Sequence, residues 1–264
     1  MKNNNLENHI KGITNEGRKV LSVFLTSGFP LEKDFEKLAL DVFDAGADLI
    51  ELGVPFSDPI ADGGIIQYSS HQALLNSITL EKTLIFSEKI KSKTSKPLIL
   101  MGYANPFLKF GIKKLAQRIN DLGIDGIIVP DVPVEEYNSF YENYFEEINT
   151  IMLVSPTTPQ ERLVEIGNKS SGFIYCVSVK GTTGDIKNMG QNSVDYVKRT
   201  KKSFINKSVL VGFGISDEQS AKLFSNVSDG VIIGTSIIKS LMNSKNKYNH
   251  TLEFISKIKK AISF

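Results

Sequence analysis

The chain has 264 residues and a formal net charge of +2, from 31 basic and 29 acidic side chains. A balance this close to neutral does not indicate a protein that binds nucleic acid or an anionic membrane surface. The sequence shows neither a run of about 20 apolar residues nor a secretory signal, and its single cysteine, Cys176, excludes an internal disulfide. We therefore expect a soluble protein of a reducing compartment, the cytoplasm or, for an organellar gene, the plastid stroma.

Short apolar segments rich in β-branched residues alternate along the chain with amphipathic segments of helical period. The apolar segments predict eight strands, in chain order at 20–26, 48–53, 97–102, 126–130, 150–155, 172–178, 208–212 and 230–234. The amphipathic segments predict helices at 32–45, 80–93, 112–122, 134–146, 160–168, 194–202 and 216–224, flanked by two more at 3–16 and 249–263. Continuous apolar runs such as 127–129 are typical of strands covered on both faces in a parallel sheet.

This alternation predicts an α/β protein, a single (β/α)8 TIM-barrel domain over residues 1–264 with extra helices at both ends. The alternative is a doubly wound open sheet. A dinucleotide-binding sheet of that kind carries a G-x-G-x-x-G motif after its first strand, and residues 26–30, Thr-Ser-Gly-Phe-Pro, lack it. Eight strands are also difficult to leave open, so the barrel is favoured.

Two carboxylates mark the second predicted strand and the loop that follows it. Glu51 lies near the end of the apolar strand, where an unpaired acid is costly to bury. Asp62 lies on the next loop, and in a barrel both positions face the same mouth. Paired acids of this kind suit general acid–base catalysis. The structural alternatives are that Glu51 pairs with a basic residue of the barrel and that Asp62 caps the next helix.

Glycine-bearing loops follow the last three predicted strands, at 180–184, 212–216 and 234–236. Backbone N–H groups approach an anion closely at glycine, and a helix N-terminus attracts phosphate. The last strands of a barrel often carry such a site, although glycine also serves turn geometry alone. His9, His71 and His250 fall in separate segments without metal-ligand spacing. We therefore expect metal-free chemistry on a small phosphorylated substrate.

Residues 51–63, Glu-Leu-Gly-Val-Pro-Phe-Ser-Asp-Pro-Ile-Ala-Asp-Gly, resemble a motif of tryptophan synthase alpha subunits. The resemblance covers essentially the whole chain and includes segments 26–30, 101–106, 129–133, 153–157, 175–184 and 212–216. It implies a carbon–carbon lyase of tryptophan biosynthesis that reversibly cleaves indole-3-glycerol phosphate to indole and glyceraldehyde 3-phosphate. It also implies no cofactor in this chain, and a β subunit that uses pyridoxal phosphate within an α2β2 tetramer.

The resemblance implies a role for each acid. Glu51 would act as a proton shuttle at the breaking bond, and Asp62 would accept a hydrogen bond from the indole N–H. A shuttle works best with a pKa near ambient pH, so we expect burial to raise the pKa of Glu51. We expect Asp62, on a more solvated loop, to stay ionised.

The resemblance also assigns three sets of binding residues, and each has an alternative structural role as core or turn residues. The phosphate would be bound by Gly184, Phe213, Gly214, Gly234 and Thr235. The indole pocket would include Phe24, Tyr103, Ile128 and Tyr175. The partner subunit would dock at exposed loop residues, namely Pro55, Asp58, Asn105 and Asp131.

The sequence departs from the family pattern at two loop positions. Gly64 stands where a proline commonly follows the Asp-Gly pair, and Lys180 is an unusual residue in the loop after the sixth strand. Gly64 loosens the backbone beside Asp62. Two other functions stay open, a stand-alone indole-releasing lyase and a weakly active protein that mainly activates the β subunit. A more distant alternative, indole-glycerol-phosphate synthase, requires a pair of catalytic lysines that the sequence does not indicate.

Overall fold

The computed structural model describes residues 5–177, 186–212, 214–244 and 248–263, and only the backbone of 186–191. Nine parallel strands lie within these residues and form one sheet. They are β1 (Val20–Thr26), β2 (Leu49–Gly53), β3 (Leu98–Met101), β4 (Gly126–Ile128), β5 (Asn149–Thr150), β6 (Met152–Val154), β7 (Ile174–Val177), β8 (Val209–Gly212) and β9 (Gly230–Ile233). All residues of β1 and β2 are buried, as expected for strands covered on both faces.

Helices surround this sheet. In the described ranges they are α1 (Asn5–Asn15), α2 (Phe35–Asp44), α3 (Gly64–Leu75), α4 (Leu80–Lys91), α5 (Ala104–Phe110), α6 (Ile112–Asp121), α7 (Gln160–Lys169), α8 (Ile186–Ser203), α9 (Glu218–Ser225), α10 (Thr235–Met242) and α11 (Asn249–Ile262). Short 3-10 turns cover Glu32–Asp34 and Val134–Glu136, and a π-helical turn covers Asn138–Glu142. None of the helices described here has the length and apolar character needed to span a membrane.

The sheet is a nearly closed barrel. Its strand order is β5-β4-β3-β2-β1-β9-β8-β7-β6, so β1 and β9 pair and join the two halves of the chain. At the other side β5 pairs with β4 and β6 pairs with β7. Only Ile151 separates β5 from β6, and its backbone N–H donates to the carbonyl of Ile127 at 3.0 Å. The barrel prediction is therefore confirmed, with the fifth predicted strand divided into two.

One difference from the predicted elements lies at residues 134–146. We predicted one helix there, and the segment is helical only over its first part, as a 3-10 turn at Val134–Glu136 and a π-helical turn at Asn138–Glu142. Its aromatic side chains pack on one another, with the rings of Phe140 and Tyr141 4.9 Å apart and those of Tyr141 and Phe145 5.8 Å apart. The spacing of these clustered aromatic residues along the sequence gives the segment the apolar pattern from which a regular helix was predicted.

Three Asp–Lys pairs hold the barrel at the end where the strands begin. In each pair an aspartate directly before one strand accepts the N–H of a residue in the neighbouring strand and a lysine ammonium. The three sets are Asp48 with Leu21 (2.7 Å) and Lys259 (2.5 Å), Asp125 with Leu98 (2.9 Å) and Lys91 (2.8 Å), and Asp229 with Val209 (2.7 Å) and Lys201 (2.6 Å). Each carboxylate thus joins two strands and a helix.

We expect Asp125→Asn to lower the free energy of unfolding by about 2 kcal/mol, because it leaves the mostly buried Lys91 ammonium without its counter-charge. Urea unfolding followed by circular dichroism measures the change. Glu135→Gln is the matched control, since the Glu135–Arg162 pair is exposed and should contribute much less. Equal effects of the two variants would contradict the role of the buried pair.

Candidate active site

Glu51 lies inside the barrel, on β2, with none of its surface exposed. In the strand register it is paired with Phe24 of β1 and Ile99 of β3, so its flanks are apolar. The Ser22 hydroxyl donates a hydrogen bond to Oε1 at 2.7 Å. Oε2 is buried and has no hydrogen-bond partner among the described residues. The alternative of an ion pair with a basic barrel residue is therefore wrong for this part of the chain.

Burial raises the pKa of Glu51 from 4.5 to about 7, and the hydrogen bond from Ser22 partly offsets that rise. The physical cause is the loss of water around the charged form. The expected direction of the shift is thus confirmed. A carboxyl group with this pKa can both accept and release a proton near neutral pH.

Asp62 lies on the loop between β2 and α3 and is half-buried. The Tyr103 hydroxyl donates to its Oδ2 at 2.9 Å and accepts the Ala61 N–H at 3.1 Å. Burial raises the pKa of Asp62 to about 6, while the Tyr103 hydrogen bond lowers it. Asp62 is more exposed than Glu51 and is still mainly ionised at pH 7, as expected, although burial brings its pKa closer to neutral than a solvated loop suggests. The residue before α3 is Gly63, with no side-chain cap, so Asp62 does not have the alternative capping role.

A small cavity opens at the ends of β1, β2 and β3. Its lining residues are Phe24, Thr26, Gly53, Val54, Pro59, Asp62, Ile66, Ser70, Met101, Gly102 and Tyr103. Three of the predicted residues, Phe24, Asp62 and Tyr103, therefore meet here. Gly53 permits the arrangement, because a Cβ at this position would overlap the Phe24 ring.

Ser22 and Ser70 are polar groups of this region that the sequence reasoning missed. Ser70 of α3 accepts the Phe56 N–H at 2.8 Å and donates to the Phe56 carbonyl at 2.9 Å, which holds the loop after β2. Small hydroxyl residues in apolar segments carry no distinct sequence signal. Their contacts join positions that are far apart along the chain.

The other two predicted pocket residues, Ile128 and Tyr175, do not line the cavity. Ile128 is fully buried at the end of β4. Tyr175 of β7 packs so closely against Gly212 that a Cβ there would overlap its ring. Burial, and then the charges of Glu51 and Asp62, raise the pKa of Tyr175 well above its usual value. Tyr175 is thus a neutral phenol within electrostatic range of both acids.

Three of the predicted phosphate residues lie on two loops at the same end of the barrel. Gly214 follows β8 with φ +76°, Gly234 precedes α10, and Thr235 is the first residue of that helix. The Ser236 hydroxyl donates to the Ile215 carbonyl at 3.2 Å and joins the two loops. The remaining predicted positions of this region, Gly184, Phe213 and Lys180, lie outside the described residues.

The predicted partner-docking residues differ in exposure. Asp58 and Asn105 are exposed, and Asp58 accepts a hydrogen bond from the Ser57 hydroxyl. Asp131 is half-buried and accepts the Ala104 N–H at 3.0 Å, at the start of α5. Pro55 is buried, so the expectation that it is exposed is wrong. Only Val54, which is also buried, separates Pro55 from the end of the buried β2.

Two other kinds of site receive no support within the described ranges. No group of three or more His, Cys, Asp or Glu side chains there could hold a metal ion. Cys176 is fully buried, and burial raises the pKa of its thiol to about 11, which keeps it protonated and unreactive.

The raised pKa of Glu51 predicts that this residue destabilises the fold at alkaline pH. The unfolded carboxyl ionises near pH 4.5 and the folded one near 7, so stability is lost as pH rises through that interval. We expect Glu51→Gln to be more stabilising at pH 8 than at pH 4.5, by about 2 to 3 kcal/mol. Urea unfolding at both pH values measures this, with the exposed Glu253→Gln as control. A pH-independent difference would contradict the prediction.

Gly64 is the first residue of α3, and no heavy atom lies within 4 Å of the place where its Cβ would be. Proline is tolerated at this helix position because the N–H there has no partner within the helix. We therefore expect Gly64→Pro to stabilise the protein by about 0.4 to 1 kcal/mol, by restricting the unfolded chain. Thermal unfolding measures the change against Gly63→Ala, a neighbouring substitution that also meets open space. A lower melting temperature for Gly64→Pro would show that α3 needs the Gly64 N–H or its freedom.

Residues 10–263 match the family model of the tryptophan synthase alpha chain. The alpha chain of Christiangramia forsetii is 38% identical over 254 residues, which cover 96% of this chain and 98% of the relative. That of Thermoanaerobacter sp. is 36% identical, with coverage of 98% and 100%.

Solved structures agree with the sequence relatives. The tryptophan synthase alpha subunit of Legionella pneumophila superposes with a TM-score of 0.87 at 28% identity, covering 98% of both chains. A chain of tryptophan synthase from M. tuberculosis, in an aminoacrylate-bound form, gives 0.86 at 26% identity, covering 98% of this chain and 99% of that one. From the near-complete match in sequence and in barrel architecture, we conclude that the chain belongs to the tryptophan synthase alpha chain family.

Proposed function

We propose that this chain cleaves indole-3-glycerol phosphate to indole and glyceraldehyde 3-phosphate, as the alpha subunit of a tryptophan synthase. The observation that carries the proposal is the buried Glu51 carboxyl, which has a pKa near 7 and one oxygen without a partner among the described residues. Its register neighbour Phe24 lines the same cavity as Asp62. The substrate must gain one proton and lose another, and this site offers a group suited to both transfers.

Glu51 would move the two protons of the retro-aldol step. Protonation of indole C3 makes the ring an electron-accepting leaving group. Removal of the proton from the adjacent glycerol hydroxyl forms the aldehyde, and the electron pair of the breaking carbon–carbon bond returns to the ring. The proton count balances, because one proton is delivered to carbon and one is taken from oxygen.

Asp62 would stabilise the positive charge that the protonated ring carries. Its carboxylate, ionised above pH 6, can accept a hydrogen bond from the indole N–H. The Tyr103 hydroxyl already holds Oδ2, which restricts the orientation of the carboxylate. The neighbouring Phe24 ring and the apolar cavity wall suit an aromatic substrate.

The substrate phosphate would bind at the loops after β8 and β9. Gly214, Gly234 and Thr235 offer backbone N–H groups there, and α10 begins at the same point. Gly184 and Phe213 would complete the set. The described part of the site would then hold the phosphate through backbone groups and the helix end.

The indole product would pass to a β subunit that holds pyridoxal phosphate, in an α2β2 complex in the cytoplasm. The exposed Asp58 and Asn105 lie on elements beside the cavity and suit docking at this face. The half-buried Asp131 and the buried Pro55 would lie beneath the same docking surface. The alternatives are a stand-alone lyase and a weakly active protein that mainly activates the β subunit, and turnover with and without the partner separates them.

We expect Glu51→Gln to reduce indole release from indole-3-glycerol phosphate by about 10³-fold or more, because it can no longer accept and donate a proton. Asp62→Asn should lose about 10²-fold through weaker stabilisation of charge. Asp121→Asn, at the exposed end of α6, is the matched control. Spectrophotometric detection of indole, with and without the β subunit, measures all four proteins.

Near wild-type turnover by Glu51→Gln would overturn the shuttle assignment. Full activity of the wild type alone would favour the stand-alone lyase over the complex. A wild type that releases no indole yet stimulates the β subunit would favour the activator.

A further inference from the structure

Ser22 lies on the face of β1 that points into the barrel. It shares that face with Phe24 and Thr26, both of which line the cavity at the mouth. Ser22 therefore lies one layer deeper than Phe24, and neither Ser22 nor Glu51 has any exposed surface. At this depth its hydroxyl donates to Oε1 of Glu51 at 2.7 Å.

We infer that Ser22 is a positioning residue for the proton shuttle, holding Oε1 so that Oε2 is the oxygen that exchanges protons with substrate. The inference rests on the proposed function and adds a residue that the family resemblance did not assign. The two oxygens of a free carboxylate are equivalent, and one directed hydrogen bond removes that equivalence.

Ser22 can make the two carboxylate oxygens of Glu51 different because its hydroxyl has a single proton to donate. A serine hydroxyl has one proton to donate, and Ser22 directs it at Oε1. While Glu51 is ionised, Oε1 is the acceptor of this hydrogen bond. Oε2 has no partner among the described residues, so it is the oxygen left free to take up a proton.

No cation among the described residues shares this role. Phe24 on β1 and Ile99 on β3 flank Glu51 with apolar side chains. The titratable groups that face the same interior are Tyr175 from β7, a neutral phenol, and Asp62 from the loop after β2. Ser22 is thus the described group that stabilises the ionised form of Glu51, against the burial that disfavours it.

The test compares Ser22→Ala, Ser22→Thr and Ser87→Ala. Ser22→Thr keeps the hydroxyl. Ser87→Ala removes an equally buried hydroxyl on α4, where it donates to the Thr83 carbonyl. Two readouts are needed: the pH profile of kcat/KM for indole release, and a ¹³C NMR titration of the Glu51 carboxyl. The Glu51 resonance is assigned as the one that is missing from the spectrum of Glu51→Gln.

We expect Ser22→Ala to move the Glu51 titration and the acid limb of the profile upward by about one pH unit, because it removes a hydrogen bond to the charged form. The plateau of kcat/KM should fall by about tenfold, because the carboxyl group loses its fixed orientation. Ser22→Thr should restore both midpoints, and Ser87→Ala should leave them unchanged.

An unchanged titration in Ser22→Ala, or the same shift in Ser87→Ala, would overturn the inference. The NMR titration requires no substrate, so this failure is distinguishable from failure of the proposed function. The latter would appear as no indole release by the wild type, even with the β subunit present.

Discussion

The pairing of parallel strands around a nearly closed ring is the constraint on which the rest of this structure depends. Because β1 pairs with both β2 and β9, and helices surround the sheet, every residue of β1 and β2 is buried. Any polar group that points inward must find a partner in the protein or keep an altered pKa. Glu51 does both, since one oxygen has Ser22 and the other has none among the described residues.

Acidic residues have different partners at the two ends of the barrel. Where the strands begin, Asp48, Asp125 and Asp229 each accept a backbone N–H and a lysine ammonium, and they stabilise the ring. Where the strands end, Glu51 and Asp62 receive hydroxyl groups instead of cations, and their pKa values rise toward neutral. The same type of side chain is therefore structural at one end and suited to proton transfer at the other.

Much of the fold could be predicted, since continuous apolar runs identify buried strands and their alternation with helices identifies the barrel. The errors have local physical causes. The helix predicted at 134–146 is shortened to a 3-10 and a π-helical turn beside packed aromatic rings. Helices α3, α5 and α10 were not among the predicted repeats, because they begin within glycine- or proline-bearing loop segments. The predicted phosphate and docking roles concern contacts with molecules outside the chain, so they stay predictions.

The sequence by itself determined the α/β barrel and the presence of two acids at one mouth, because strand polarity assigns strand ends and their loops to the same side. Only the tertiary structure decided how each acid is held. Ser22 is 29 residues from Glu51 and Tyr103 is 41 residues from Asp62, and hydrogen bonds over such separations leave no periodic signal. The raised pKa of Asp62 likewise comes from burial by distant segments, which a loop rich in polar residues does not reveal.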